Sequence, residues 1–297
     1  MSHIIRPPAV AGQFYPEDKD ELYELIHRCF TNPEGPGKFP SSSSGRGVSS
    51  QPSKVEFVIV PHAGYIYSGT VAAFSYKVAF DFFQQFGEEI TVIILGPNHY
   101  GIGSGVAISG ADFWETPLGR VKIAKDVRKK LVKKSAMLDV DDHAHSREHS
   151  IEVQIPFIQA MMGSQIDRVS FVPVCMMLQD METATDIANT LEAFVQESET
   201  PCLVIGSSDL THYEPHDRAE KKDRALLEEV SKIDVSSFYT VLERKNVSAC
   251  GYGAIASTMS IARKLGRKKG ELLKYATSGE ISGDKSSVVG YSSVHFL

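Results

Sequence analysis

The chain has 297 residues, room for one large domain or two small ones, and its 42% apolar and 23% charged content is that of an ordinary folded protein. A formal net charge of −6 with no basic block argues against a nucleic-acid surface. The four cysteines, Cys29, Cys175, Cys202 and Cys250, show no CxxC pairing, and reduced thiols in a cytoplasmic protein are expected.

The N-terminal stretch MSHIIRPPAVAGQFYP has no apolar stretch of the signal-peptide kind. No run in the chain approaches the roughly 18 apolar residues of a membrane span, so no membrane partner is expected. Residues 32–53, NPEGPGKFPSSSSGRGVSSQPS, are rich in Ser, Gly and Pro and have almost nothing to bury. They read as a mobile surface insertion within a single domain spanning residues 1–297.

After this insertion, short apolar runs alternate with helical patterns. VEFVIVP (55–61) predicts a buried strand, and residues 68–83 a buried helix with Ser68 as its N-cap. TVIILGPNH (91–99) and RVSFVPV (168–174) predict further strands. Residues 180–197 predict an amphipathic helix, with Ala184, Ile187, Ala188, Leu191 and Val195 on one face. PCLVIGSSD (201–209) predicts a fourth strand, followed by helices over 218–231, 235–244 and 253–265. ELLKYAT and SSVVGYSSVHF predict closing strands at an antiparallel edge. Near-continuous apolar strands alternating with helices imply an α/β fold with a mainly parallel central sheet covered by helices on both faces.

Ligands of such sheets bind beyond the carboxyl ends of the strands. Three predicted strands end in similar chemistry: PHAGY with His62, GPNHY with His99, and GSSDLTHY with Ser207, Ser208, Asp209 and His212. Parallel strands would bring these groups to one cleft. Imidazole is the commonest protein metal ligand, and two histidines on different strands fix a metal well. A third ligand is Asp209, giving two histidines and a carboxylate, or Cys250 in VSACGYGAI. Cys250 precedes a helical pattern, where a helix N-terminus would lower its pKa and favour thiolate. In DDHAHSREHSIEVQIPF (141–157), His143 and His145 read as exposed loop residues. His149 either lines the cleft or caps structure, and Pro156 kinks the following helix or starts a second piece. Tyr65 and Tyr67 follow His62 and either line a pocket or pack in the loop. No GxSxG, GxGxxG, P-loop or HExxH motif is present.

Taken in order, AVAGQFYP, PHAGYIYSG, ILGPNHY, WETPLG, EHSIEVQIPF, SSDLTHY and CGYGAI resemble the MEMO family, mediators of cell motility in eukaryotes and the B component of the AmmeMemoRadiSam gene grouping in archaea and bacteria. The resemblance implies a fold similar to class III extradiol dioxygenases, which are non-haem iron enzymes, and a functional link to AMMECR-type and radical SAM proteins. It implies His62, His99 and Cys250 as metal ligands, the cysteine standing where the dioxygenases carry a glutamate. It places His212 at the dioxygenases' acid–base histidine, with Asp209 beside it. His149, Tyr65 and Ser208 are candidates for supporting or substrate-binding roles.

A thiolate in place of a carboxylate makes the site softer, favouring iron, copper or zinc over magnesium or calcium. Fe(II) is the first expectation, with Cu and Zn as alternatives. Three functions compete. One is a redox or oxygen-dependent metalloprotein acting on a small aromatic molecule. Another is a non-catalytic module that binds a peptide in the same cleft. The third is a zinc hydrolase using metal-bound hydroxide.

Overall fold

The structure, a computed structural model, describes residues 3–40 and 53–297. Its twelve strands form one sheet. They are β1 (Ile5–Arg6), β2 (Val55–Val60), β3 (Ile90–Pro97), β4 (Val106–Ile108), β5 (Phe113–Thr116), β6 (Gly119–Ile123), β7 (Leu138–Val140), β8 (Val169–Met176), β9 (Cys202–Ser207), β10 (His212–Glu214), β11 (Gly270–Thr277) and β12 (Val288–Phe296). The main path runs β1-β5-β6-β8-β3-β9-β2-β12-β10. Its centre, β8-β3-β9-β2, is parallel throughout. The closing strands β11 and β12 are antiparallel to each other, and β12 joins β2 antiparallel. The mainly parallel α/β sheet read from the strand–helix alternation is therefore present.

The helices are α1 (Lys19–Thr31), α2 (Tyr65–Phe83), α3 (Lys125–Lys134), α4 (Ile155–Met162), α5 (Met181–Glu197), α6 (His216–Lys232), α7 (Val235–Lys245), α8 (Tyr252–Lys264) and the single turn α9 (Gly279–Ser282). Strand alternation sends side chains to two cores. Val58, Val60, Val92, Ile94, Leu203 and Ile205 meet α1, α2 and α4 on one face. Phe57, Ile59, Ile93, Leu95 and Val204 meet α5, α6, α7 and α8 on the other. None of the helices is long and apolar enough to cross a membrane among the described residues.

Several local details differ from the sequence reading. Helix α2 begins at Tyr65, with Gly64 as N-cap and no side-chain cap. The Ser68 hydroxyl instead donates back to the Ala63 carbonyl, inside the first turn. Helix α1 was not anticipated, although Asp18 caps it by accepting from Asp20 N–H and Glu21 N–H, and Leu22, Ile26, Cys29 and Phe30 form its buried stripe. Part of the expected mobile segment is packed: Phe39 lies against Phe30 and His27, with ring centroids 5.3 and 5.2 Å apart. The Phe39 ring is joined in holding residues 32–40 by Gly37 N–H donating to the Phe30 carbonyl, Asn32 Nδ2 to Thr70 Oγ1 and Lys77 Nζ to the Pro36 carbonyl. Residues 41–52 of that segment lie outside the described residues. Pro156 stands in the first turn of α4, directly after a 3₁₀ turn at Glu152–Gln154, so it starts a second helical piece.

Candidate metal centre

The parallel register carries β2, β3 and β9 to one edge, with Val60 beside Ser207 and Leu95 beside Gly206. His62, His99 and Asp209 each lie two residues beyond the ends of these strands. One ligand atom from each of His62, His99 and His149 lies within 4.8 Å of the others, close enough to hold a metal ion. The His99 and His149 rings stack with centroids 4.4 Å apart. The His62 ring stands edge-on to both, at 5.2 and 5.5 Å.

Each ring has a support. His62 is buried, and its Nδ1 lies 2.9 Å from Ser207 Oγ. His99 Nδ1 lies 2.8 Å from Glu148 Oε1, and the His99 backbone N–H donates to Glu148 Oε2 at 2.7 Å. The same carboxylate accepts from the backbone N–H groups of His149 and Ser150, both at 2.9 Å. This carboxylate–histidine arrangement orients metal-ligating imidazoles and raises their basicity. His149 rests on Phe14, with centroids 4.3 Å apart. Its Nδ1 is buried without a hydrogen-bond partner, the nearest carboxylate oxygen standing 3.5 Å away on Glu148. A buried imidazole with an unpartnered nitrogen beside two supported ones fits a metal-binding histidine group.

Electrostatics keep two of the rings, His62 and His149, in ligand form. Burial, then the neighbouring His99, His149 and His212, hold His62 well below the usual imidazole range. Burial takes His149 down to about 4. Burial pushes the Glu148 carboxyl upward, but the His99 hydrogen bond and the charges of His99 and His149 win and leave it at about 2. Neutral imidazoles beside an ionised carboxylate are the protonation states that metal binding needs.

The other side of the cleft carries Asp209, His212 and Cys250. Cys250 Sγ lies 3.1 Å from His62 Nε2, at the edge of the histidine group. The expectation of a thiolate favoured by a helix N-terminus does not hold. Burial and the neighbouring Asp209 raise the Cys250 pKa. Helix α8 starts only at Tyr252, and its Gly253 N–H donates to Gln179 Oε1. Ser208 ties this segment down: its Oγ accepts from Gly251 N–H at 2.9 Å and donates to the Asp209 carbonyl. A Cβ on Gly251 would stand 2.3 Å from the Ser207 carbonyl, so only glycine permits this approach.

Asp209 does not join the histidine group. Its Oδ1 accepts from the His62 backbone N–H at 2.8 Å, which fixes the turn that presents the ring. Burial lifts its carboxyl to about 6. His212 Nδ1 meets the Ser248 carbonyl at 3.0 Å and its backbone N–H donates to Ser248 Oγ. Since a carbonyl only accepts, Nδ1 carries the proton and Nε2 is the open nitrogen.

Tyr65 does not line the cleft: it is buried, and its hydroxyl donates to the Val153 carbonyl at 2.6 Å. Tyr67 is exposed, as are Tyr100 and Tyr213, the chain neighbours of His99 and His212. His145 is buried rather than exposed, with Nε2 against the Ala107 carbonyl and its ring edge-on to Trp114.

The residues missed in the sequence are those that hold the 145–152 segment. Arg6 is buried over the Trp114 ring, at 4.3 Å. It donates to the His145 and Glu148 carbonyls, both at 2.8 Å, and pairs with the Glu152 carboxylate. Glu152 also accepts from Ala9 N–H, Val10 N–H and the Tyr15 hydroxyl. Buried Arg and Glu within otherwise apolar motifs were the available signal, since such charges are rarely buried unless paired.

The family model described as Memo-like protein matches residues 6–295. The chain belongs to the Memo-like family. Among curated Memo-like relatives, a MEMO1 family protein from Methanopyrus kandleri is 46% identical, covering 98% of this chain and 98% of its own. One from Sulfolobus acidocaldarius is 44% identical over 99% of both chains, and one from Nitrosopumilus maritimus is 42% identical over 99% of this chain and all of its own. Among solved structures, an uncharacterized protein from Escherichia coli K12 matches with a TM-score of 0.55 at 10% identity, covering 82% of this chain and 99% of that one. That likeness extends the Memo-like protein's architecture to a distant sequence and concerns the fold alone.

Proposed function

We propose that this Memo-like protein is a metal-dependent redox protein whose cleft resembles that of non-haem iron dioxygenases. His62, His99 and His149 would hold the metal, and Cys250, with its Sγ 3.1 Å from His62 Nε2, is the further candidate ligand. The observation that carries the reading is the convergence of three supported or orphaned imidazoles from separate segments. Nitrogen donors with a thiol in reach suit iron first, and copper or zinc as alternatives. When bound, a redox-active metal would supply electron transfer and oxygen chemistry.

The chain's own residues have separable roles in this reading. Asp209 fixes the backbone that presents His62. His212 offers Nε2 to take or give a proton, its Nδ1–H being committed to Ser248. The exposed Tyr100 and Tyr213, next in the chain to His99 and His212, and the exposed Tyr67 suit a small aromatic ligand or an aromatic peptide side chain. The same proposal includes a functional link to AMMECR-type and radical SAM proteins, which the sequence resemblance implies, and a cytoplasmic setting, which four free cysteines suit.

Elemental analysis of anaerobically purified protein, wild type beside His99→Ala, tests the reading. Stoichiometric iron or copper that is lost in the variant is expected. A metal-free wild type that also refuses Fe(II), Cu(I) and Zn(II) would overturn it. One observation favours a second reading, a peptide-binding module: the Arg147 guanidinium lies 5.3 Å over the exposed Tyr100 ring, placing a cation and an aromatic face together. Peptide capture unaffected by chelator would favour that module.

A further inference from the structure

The hydroxyl of Ser207 has a single proton, and the groups around it decide where that proton goes. Ser207 is buried, at the end of β9. Its Oγ lies 2.6 Å from the Ser150 carbonyl, 2.8 Å from Gln154 Nε2 and 2.9 Å from His62 Nδ1. The Ser150 carbonyl can only accept, so it takes the Ser207 proton. The orientation of the Gln154 amide is fixed from two sides. One amide atom faces the Pro61 carbonyl at 3.1 Å, which demands a donor there. The other accepts from the Tyr76 hydroxyl, which also reaches the Gln154 backbone carbonyl at 3.0 Å. Gln154 Nε2 therefore donates to Ser207 Oγ.

With its proton given to Ser150 and one lone pair taken by Gln154, Ser207 Oγ has only acceptor capacity left for His62. We infer that Ser207 and Gln154 are positioning residues that lock His62 as the Nδ1–H tautomer, leaving Nε2 bare and facing the cluster. Nε2 is the nitrogen 3.1 Å from Cys250 Sγ, so the bare lone pair faces the Cys250 thiol, which can donate to it. The relay starts at Tyr76, stacked on Phe157 in the core with centroids 4.5 Å apart, so it is anchored in packed structure. Its partners come from α2, β9 and the 150–154 segment. His99 needs no relay, because Glu148 can only accept from its Nδ1 when ionised.

The inference deepens the metal-binding reading and uses the same site, but the tautomer can be read without any metal. The first experiment is long-range nitrogen–proton NMR of metal-free protein with labelled histidine, the His62 signals assigned through His62→Gln. A neutral His62 ring with a protonated Nδ1 and an unprotonated Nε2 is expected. A dominant Nε2–H tautomer would overturn the inference whether or not the protein binds metal.

The second experiment titrates Zn(II) as a diamagnetic probe into wild type, Ser207→Ala, Ser207→Thr and Gln154→Leu, against a competing chelator. Ser207→Ala is expected to lose the tautomer bias and to weaken zinc binding about 10–100-fold, the usual effect of removing an outer partner of a ligating histidine. Ser207→Thr keeps the hydroxyl and is expected to restore both. Gln154→Leu is expected to weaken binding less, since Ser150 still takes the hydroxyl proton. Folded Ser207→Ala that binds zinc as tightly as wild type would refute the positioning role while leaving the metal site standing. A wild type that binds none of Zn(II), Fe(II) and Cu(I) but shows the Nδ1–H tautomer would refute the metal reading while leaving the tautomer assignment standing.

Discussion

The two sides of the cleft are built differently. On the histidine side, His62 and His99 each have one nitrogen held by a side chain, and His149 is clamped between a ring and a carboxylate. The clamp itself is tied to the N-terminal segment by Arg6 and Glu152. On the acid side, Asp209, His212 and Cys250 interact mainly with backbone groups of the neighbouring turns. Burial leaves Asp209 near pH 6 and raises the Cys250 pKa. The difference is between groups that are aimed and groups that are shifted. Imidazoles paired with side chains have a fixed direction. The buried Asp209 carboxyl and Cys250 thiol have a raised pKa.

Breaking the support of the histidine side should have the largest effect. Arg6→Met leaves the Glu152 carboxylate buried without its counter-ion and is expected to cost about 3–5 kcal/mol of stability in denaturant unfolding. A loss below about 1 kcal/mol would mean that the N-terminal segment does not carry the 145–152 clamp. Next comes His99→Ala, expected to weaken metal binding by more than about 100-fold, since outer partners alone are worth about 10–100-fold. Calorimetric titration of anaerobic apo-protein would measure it, and unchanged affinity would remove His99 from the site. Glu148→Gln keeps the shape but turns one of the two accepting oxygens into an NH2 facing an N–H donor, so a loss of affinity of about tenfold is expected together with some loss of stability. An effect as large as that of His99→Ala would place Glu148 among the ligands.

The smallest expected effect tests the acid side. Asp223 lies beneath it, accepting from Thr211 N–H, the Thr211 hydroxyl and the Tyr275 hydroxyl. Burial raises its carboxyl from 3.8 to about 6. The folded state therefore binds this proton more tightly than the unfolded chain. Its contribution is fully present below about pH 4 and is lost as pH rises through about 6. Lowering the pH from about 7 to about 5 should gain about 1 kcal/mol through this group. In Asp223→Asn that component should vanish from the difference between the two unfolding profiles. Parallel profiles for the two proteins would show that Asp223 does not titrate in this range.

The helices and strands that were legible share a property: their burial pattern is complete within one segment. VEFVIV, TVIILGP and CLVIGS are apolar enough to need cover on both faces, and they form the parallel centre. Strands β4 to β7 were not anticipated, because they are short and three of the four are partly exposed. Helix α1 has a clear cap and stripe and was open to a closer reading. Cys250 illustrates a different limit. Its place before a helix suggested a thiolate, but the thiol's proton affinity is set by burial, which no local pattern states.

The sequence by itself determined that His62, His99 and Asp209 stand beyond strand ends, because strand periodicity and terminating Gly and Pro residues are local. It left the role of His149 open, and it hid Glu148, Gln154, Arg6 and Glu152. The tertiary structure decided those, because their contacts join residues as far apart as Arg6 and Glu152 or Gln154 and Ser207. Side-chain direction across such separations depends on strand order, with β3 seated between β8 and β9, and on which loop the N-terminal segment captures. Convergence of these groups follows from three-dimensional packing, where each charge and each lone pair must find its partner.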